Sequence, residues 1–356
     1  MKVGIIGLPQ SGKKTLFTVL TGARIQEGAQ LSKPLPGTAN ILDPRFDRLV
    51  SLYEPKKNQP ARIDFVLLPR LEKETISKGV IFQDIADMDA ICLVVRAFED
   101  EAIFHVDGDV DAGRDVDMVC GELLIHDQIF VEKRLERLEL SLKKIKDEDQ
   151  KKEFALLQRM QAHLEAENPL RLFEINDEEE ALIRSYPLIT RKQMLVVVNT
   201  GEDAIGQNAV SPAIEARSRR DRMAVIQVCA GMEAEIALLE DAEEKSAFLQ
   251  DLGIHEPALG LLTRTALEAL GRISFFTVGK DEVRQWLVRK DAPAPKAAGV
   301  IHSDLERGFI RAEVIKYAEL IALGSEAEVK KAGKLYVNGK DYRVEDGDIL
   351  NIRFKV

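Results

Sequence analysis

Lys2-Val3-Gly4-Ile5-Ile6-Gly7-Leu8-Pro9-Gln10-Ser11-Gly12-Lys13-Lys14-Thr15 stands at the start of the chain and decides the fold. Its first five residues are a short apolar run rich in β-branched side chains, the pattern of a buried strand. A glycine-bearing loop follows, and then a helix-like apolar stretch, Leu16-Phe17-Thr18-Val19-Leu20. Strand, loop and helix in this spacing make a cradle for phosphate oxygens. Two glycines let backbone N–H groups turn inward, the helix N-terminus adds partial positive charge, and Lys13 reaches the terminal phosphates. The expected phosphate-binding set is Gly7, Gln10, Ser11, Gly12, Lys13, Lys14 and Thr15. A glycine-rich turn packed against a sheet could give the same Gly-x4-Gly-Lys string. The strand directly before it and the helix directly after it favour the phosphate loop.

One residue departs from the motif. A Ser or Thr hydroxyl is expected directly after the lysine, as a ligand for Mg²⁺. That position holds Lys14, and Thr15 comes one residue late. The chain therefore announces a nucleotide site together with a damaged metal site.

The 356 residues suffice for two or three domains. A net charge of -10 argues against a surface that is basic throughout, while leaving room for local basic patches. Cys92, Cys120 and Cys229 have no metal or redox spacing, and the natural expectation is a reducing, cytoplasmic compartment. The five histidines are scattered, so no metal ligand set is expected. No signal peptide and no run of membrane-spanning length is read, so no membrane partner is expected.

Asp64-Phe65-Val66-Leu67-Leu68 and Ala90-Ile91-Cys92-Leu93-Val94-Val95 are further strands, the second apolar throughout, as a strand buried on both faces is. From about residue 121 the period changes. Val131, Leu135, Leu138, Leu142 and Ile145 step by four and three, a heptad seam that Leu157, Met160 and Leu164 resume. Two antiparallel helices in a hairpin are expected, with a lysine-rich tip of Lys143, Lys144, Lys146, Lys151 and Lys152. The tip is either a solvated turn or a contact for RNA phosphate. Met194–Val198 and Ala224–Val228 return to the buried-strand pattern. Two alternating strands around residues 273–288, a short helix near 296–301 and strands at 311–316, 335–337 and 349–356 suggest a β-grasp unit. Asn338-Gly339 carries the dipeptide of a tight hairpin.

These pieces resemble the YchF/Obg-like ATPases over essentially the full length. The matching runs are Val94-Val95-Arg96-Ala97-Phe98-Glu99-Asp100, Phe248-Leu249-Gln250-Asp251-Leu252-Gly253 and Ala297-Ala298-Gly299-Val300-Ile301-His302-Ser303-Asp304. Gly308-Phe309-Ile310-Arg311-Ala312-Glu313-Val314-Ile315 and Gly339-Lys340-Asp341-Tyr342 are close to the family's C-terminal TGS sequence. The resemblance implies an α/β P-loop NTPase sheet, G-domain-like, with an inserted antiparallel coiled-coil hairpin and a C-terminal β-grasp TGS domain. Its boundaries would be residues 1–120 and 193–272 for the nucleotide-binding domain, 121–192 for the arm and 273–356 for TGS. It implies a purine nucleotide, ATP or GTP, and a ribosome or RNA partner engaged by arm and TGS domain, with Arg307 and Arg311 a second basic patch. The family's base-reading Asn-x-x-Glu falls on Asn199 and Glu202, and Cys229-Ala230-Gly231 resembles the second base-contacting loop. A Glu cannot take the geometry by which Asp reads guanine's donor pair, so guanine selectivity should fall.

Three departures from the family bear on hydrolysis. Lys14 replaces the metal-ligating Ser. The family's Asp-x-Ala-Gly, which helps to hold Mg²⁺ and senses the γ-phosphate, aligns with Leu67-Leu68-Pro69-Arg70. Thr38 is the sole threonine near the first switch. Phosphoryl transfer relies on positioning and on Mg²⁺ bridging the β- and γ-oxygens, so Mg²⁺ is doubtful and hydrolysis should be weak or absent. Lys14 could instead place an ammonium where the ion would sit. The alternatives are an interaction scaffold with no working nucleotide site, or an active ATPase with an atypical metal site.

Overall fold

The computed structural model describes residues 1–25, 31–71, 79–100, 105, 108–144, 147–239, 241–254 and 256–355. Two compact units emerge, Met1–Ala39 with Asp64–Leu261, and Asn40–Ile63 with Leu262–Val356.

In the first unit β1 (Lys2–Ile6) lies parallel between β4 (Arg62–Leu67) and β5 (Ala90–Ala97). Beyond β5 come β6 (Gln193–Thr200) and β7 (Ala224–Val228), again parallel, and β2 (Leu35–Asn40) flanks β4. The continuous apolar runs are explained by cover on both faces: residues Ala90 to Arg96 are all buried. On one face Ile6, Leu93 and Val196 meet Ile81 and Ile85 of α3 (Val80–Ala86) and Val116, Val119 and Leu123 of α4 (Ala112–Leu142). Parallel strands bring their C-terminal ends to one edge, where crevices for ligands form. Helix α1 (Lys13–Thr21) leaves from that edge.

Helix α4 starts nine residues before the expected arm. Asp111 caps it by accepting from the Arg114 N–H, and no residue in its first turns breaks the helix. Its N-terminal half packs on the sheet. Its C-terminal half, Val131, Leu135 and Leu138, packs on Leu156, Leu157, Met160 and Leu164 of α5 (Glu148–Glu165). The pairing is antiparallel: Gln128 Nε2 donates to the Leu164 carbonyl at 2.8 Å, and Arg134 meets Glu153 at 2.7 Å. Of the expected seam and tip, Ile145 and Lys146 lie outside the described residues.

The second unit is a six-stranded sheet in the order β11-β10-β12-β8-β9-β3. These strands are Tyr336–Asn338, Phe309–Lys316, Asp348–Phe354, Arg272–Thr277, Glu282–Arg289 and Lys57–Gln59. Phe275, Val314 and Leu350 face α11 (Ala294–Ile301), and Phe276, Ile315 and Ile349 face α2 (Pro44–Tyr53). Two expectations differ from what is seen. Asn338-Gly339 does not close a hairpin: β11 pairs back onto β10, and neither residue has the positive φ that a two-residue turn demands. Lys57–Gln59, in a stretch read as part of the nucleotide-binding domain, pairs with β9 instead. Among the described residues, no helix is long and apolar enough to cross a membrane.

Candidate nucleotide-binding site

The loop from Gly7 to Gly12 joins the C-terminal end of β1 to α1, as its sequence predicts. Two glycines are required there by close approach. A Cβ on Gly7 would clash with the Val94 carbonyl, and one on Gly12 would clash with Asn199 Nδ2. Gly12 also has φ +86, a left-handed conformation that other residues rarely adopt. It stands at the N-cap of α1, so no side chain caps the first helical N–H groups. Gln10 is exposed with φ +61. Ser11 is 2% exposed, and its Oγ has no hydrogen-bond partner. Lys13 is 5% exposed, and its ammonium folds onto its own loop, donating to the Gly7 carbonyl.

The residues expected to contact the base come together at the same edge. Asn199, 4% exposed, spans two loops: its Nδ2 donates to the Ser11 carbonyl at 3.1 Å, and its Oδ1 accepts from the Ala230 N–H at 3.0 Å. Cys229 and Ala230 stand where β7 passes into α8 (Ala230–Leu238), and a Cβ on Gly231 would meet open space. Glu202 is exposed in a single 3-10 turn. Burial pushes the Cys229 thiol pKa up, and the nearby Glu202 carboxylate adds to that shift. Thr200 is turned inward, with its hydroxyl 3.5 Å from the Val228 carbonyl, so it does not lie along a base as a lysine there would.

Two residues were not singled out for chemistry by the sequence. Arg96, 2% exposed, sits opposite Asn199 in the β5–β6 register. Its Nε donates to the Phe98 carbonyl at 3.0 Å, and its guanidinium lies 4.6 Å from the Phe98 ring centroid. A Cβ on Gly201 would stand 3.5 Å from Phe98 Cβ, so this pair borders the Asn199–Glu202 segment. The signal was present: an arginine inside a continuous apolar strand must have a purpose-built environment.

The residues fit a phosphate-bearing ligand. A helix N-terminus without a side-chain cap, a buried hydroxyl lacking a partner, and a lysine tied to its own loop all suit an incoming anion. Among the described residues, the position directly after Lys13 offers the Lys14 ammonium where a hydroxyl ligand for Mg²⁺ is expected. Thr15 is turned about 100° around the helix from Lys14 and cannot take its direction. Arg70, which follows β4, lies close enough to Lys14 that it lowers the Lys14 pKa further, after burial. Among the described residues no three His, Cys, Asp or Glu side chains are placed to hold a metal. Thr38 is remote from the loop. It lies on β2 and donates to Asp64 at 3.1 Å, and Asp64 pairs with Lys2 at the other end of the strands.

Comparison with known proteins bears on the fold and the family. The YchF-GTPase_C family model, described as a protein of unknown function, matches residues 272–355. The ribosome-binding ATPase YchF of Bacillus subtilis (strain 168) is 40% identical, with both chains covered completely. Obg-like ATPase 1 of Caenorhabditis elegans is 35% identical over 99% of this chain and 92% of its own. The structure of the Schizosaccharomyces pombe YchF GTPase superposes with a TM-score of 0.83 at 31% identity, covering 99% of this chain and 97% of that one. The chain belongs to the YchF/Obg-like ATPase family.

Proposed function

We propose that this protein binds a purine nucleotide at the Gly7–Lys13 loop, hydrolyses it weakly or not at all, and acts in the cytoplasm as a ribosome-associated regulator. The observation that carries the reading is Asn199. One side chain locks the phosphate loop to the second base-contacting loop, as a site that must read phosphate and base together requires. Gly7, Gln10, Ser11, Gly12, Lys13, Lys14 and Thr15 would surround the phosphates. Asn199, Glu202, Cys229, Ala230 and Gly231 would face the base. The ribosome enters from full-length relatives named ribosome-binding ATPases, such as the Bacillus subtilis protein. Weak hydrolysis rests on Lys14, Leu67 and Arg70, which by the sequence resemblance would stand where the family places metal and γ-phosphate contacts.

The arm (residues 121–192) and the C-terminal domain (residues 273–356), proposed as TGS, would carry the RNA contact. Two observations temper the charge at the arm tip. Lys143 pairs with Glu139 at 2.9 Å and Lys151 with Glu148 at 2.6 Å. In the C-terminal unit Arg307 pairs with Asp304, while Arg311 is exposed on β10. Co-sedimentation with purified ribosomes, with ATP, with ADP and with no nucleotide, tests the reading. Pelleting at low salt that changes with the nucleotide is expected. A protein that never pellets has a different partner.

A further inference from the structure

One row of the C-terminal sheet stops short. Strand β12 pairs with β10 from Asp348 opposite Lys316 to Phe354 opposite Phe309, with one irregularity between Phe309 and Arg311. Among the described residues its other flank pairs with β8 at Ile349 alone, in register with Phe276, and β8 ends at Thr277. The chain then turns into β9, which starts at Glu282. The Trp286 Nε1–H donates to the Thr277 hydroxyl at 3.0 Å, which fastens the end of β8 to β9 rather than to β12. Beside Leu350–Phe354 lies a cavity of about 630 Å³. It is lined from both faces of the sheet. Trp286, Ile301, Leu305 and Ile352 line it and belong to the core on the α11 side. Ile315, Leu335 and Ile349 line it and belong to the core on the α2 side. Asn351 and Arg353, which alternate with Leu350 and Ile352, border it there with Lys330. A groove on one face of a sheet touches one core. A cavity that reaches both, along a strand flank with no neighbour, has the shape of one more strand.

The lining also states the chemistry of what fits. A strand flank presents backbone N–H and C=O groups at a regular spacing, which a second polypeptide backbone complements. Successive side chains of an added strand point to opposite faces, and the two faces differ. Trp286, Ile301, Leu305 and Ile352 are each half-buried, so apolar surface remains to be covered on one side. On the other, Asn351, Lys330 and the Arg353–Glu313 pair are polar. Phe354, 47% exposed, leaves an apolar end at the mouth. A phosphate backbone fits less well. Arg353 is engaged by Glu313, and Glu282 and Glu326 line the same cavity, so it would meet carboxylates.

We propose that this slot docks an extended segment of a partner protein, which adds as a strand beside Leu350–Phe354. Its alternate apolar side chains cover Trp286, Ile301, Leu305 and Ile352, and its polar ones face Asn351 and Lys330. The slot lies wholly within the second unit, and its use does not depend on the nucleotide site.

The test uses the full-length protein and fluorescein-labelled peptides in which valine, leucine or phenylalanine alternates with threonine between terminal lysines. Anisotropy reads binding, and hydrogen exchange reads its place. Two further forms of each peptide carry N-methyl groups on all the threonines or on all the apolar residues. One form loses the donors that face β12, and the other loses donors that point away. Saturable binding by at least one peptide is expected, with new protection at the amides of Leu350–Phe354. One N-methylated form should bind at least about tenfold more weakly and the other should be retained. Leu305→Glu, checked by thermal unfolding, should weaken binding to a similar degree. No saturable binding by any peptide up to about 1 mM, equal binding by the two N-methylated forms, or protection gained elsewhere would overturn the proposal. A dimer seen by sedimentation that protects the same amides without peptide would overturn it in favour of a second copy. Protection by oligouridylate and not by peptide would overturn it in favour of RNA.

Discussion

Asn199 is the residue on which the site turns. Its amide is buried, and both of its ends are used. Replacing it with Ala leaves the Ser11 carbonyl and the Ala230 N–H unpaired in the interior, a loss of about 2 kcal/mol of stability. Chemical denaturation should show a lower midpoint at an unchanged slope, and labelled nucleotide should bind more weakly. Base choice is the second expectation at this scale. With Glu202 exposed and Thr200 turned inward, ATP and GTP affinities should differ by less than about tenfold, roughly 1.4 kcal/mol. Competition of each against a labelled nucleotide checks this, and a stronger preference for GTP would contradict it. The phosphate loop was legible in the sequence because strand, glycines, lysine and helix are contiguous. The Arg96–Phe98 pair was not, because its meaning depends on the register of β5 against β6, which a string of residues does not display.

Helix α4 shows what one element can join. Its first half belongs to the sheet core and its second half to the arm. Asp127 lies between the two halves and is fully buried. Its carboxylate accepts from the Ile189 N–H at 2.9 Å, the Thr190 N–H at 2.7 Å and the Thr190 hydroxyl at 2.6 Å. It ties the base of the arm to the segment that leads back into β6. Asp127→Ala removes these three hydrogen bonds together with the 3.1 Å contact to His126 Nδ1 and should cost on the order of 3 kcal/mol. Hydrogen exchange should show lost protection at Ile189 and Thr190. Equal protection there would show that the arm base is held by packing alone. The heptad seam made the arm legible from Val131 onward. The helix start was missed because the period of Val116, Val119, Cys120 and Leu123 serves a different core. Strand β3 was illegible for a plainer reason. All three of its residues are exposed, and its partner lies more than 200 residues away in the chain. A non-local pairing with no apolar pattern leaves no trace in sequence. Asn338-Gly339 erred in the other direction, since a favourable turn dipeptide was outweighed by the pairing of β11 with β10.

On the proposed reading the whole molecule combines a loop for phosphate, an incomplete metal site and two lysine- or arginine-bearing surfaces. Hydrolysis should be slow. Lys14→Ser alone should not restore it, because Leu67 and Arg70 remain and such groups act as a unit. Phosphate release measured for both proteins checks this, and fast wild-type turnover would mean that the metal contacts come from residues not recognised here. The arm tip makes a separable prediction. Changing Lys143, Lys144, Lys146, Lys151 and Lys152 to Gln should weaken ribosome pelleting and flatten its dependence on salt, since fewer counterions are released. Unchanged pelleting at every salt concentration would leave the tip a solvated turn, already paired with glutamates. The central claim is that the Gly7–Lys13 loop holds a nucleotide, and equilibrium binding of labelled ATP to the wild type and to Lys13→Ala tests it most directly. Saturable binding by the wild type that falls at least tenfold in a folded Lys13→Ala is the predicted result. Binding that ignores Lys13, or no binding by the wild type in any buffer, would contradict it.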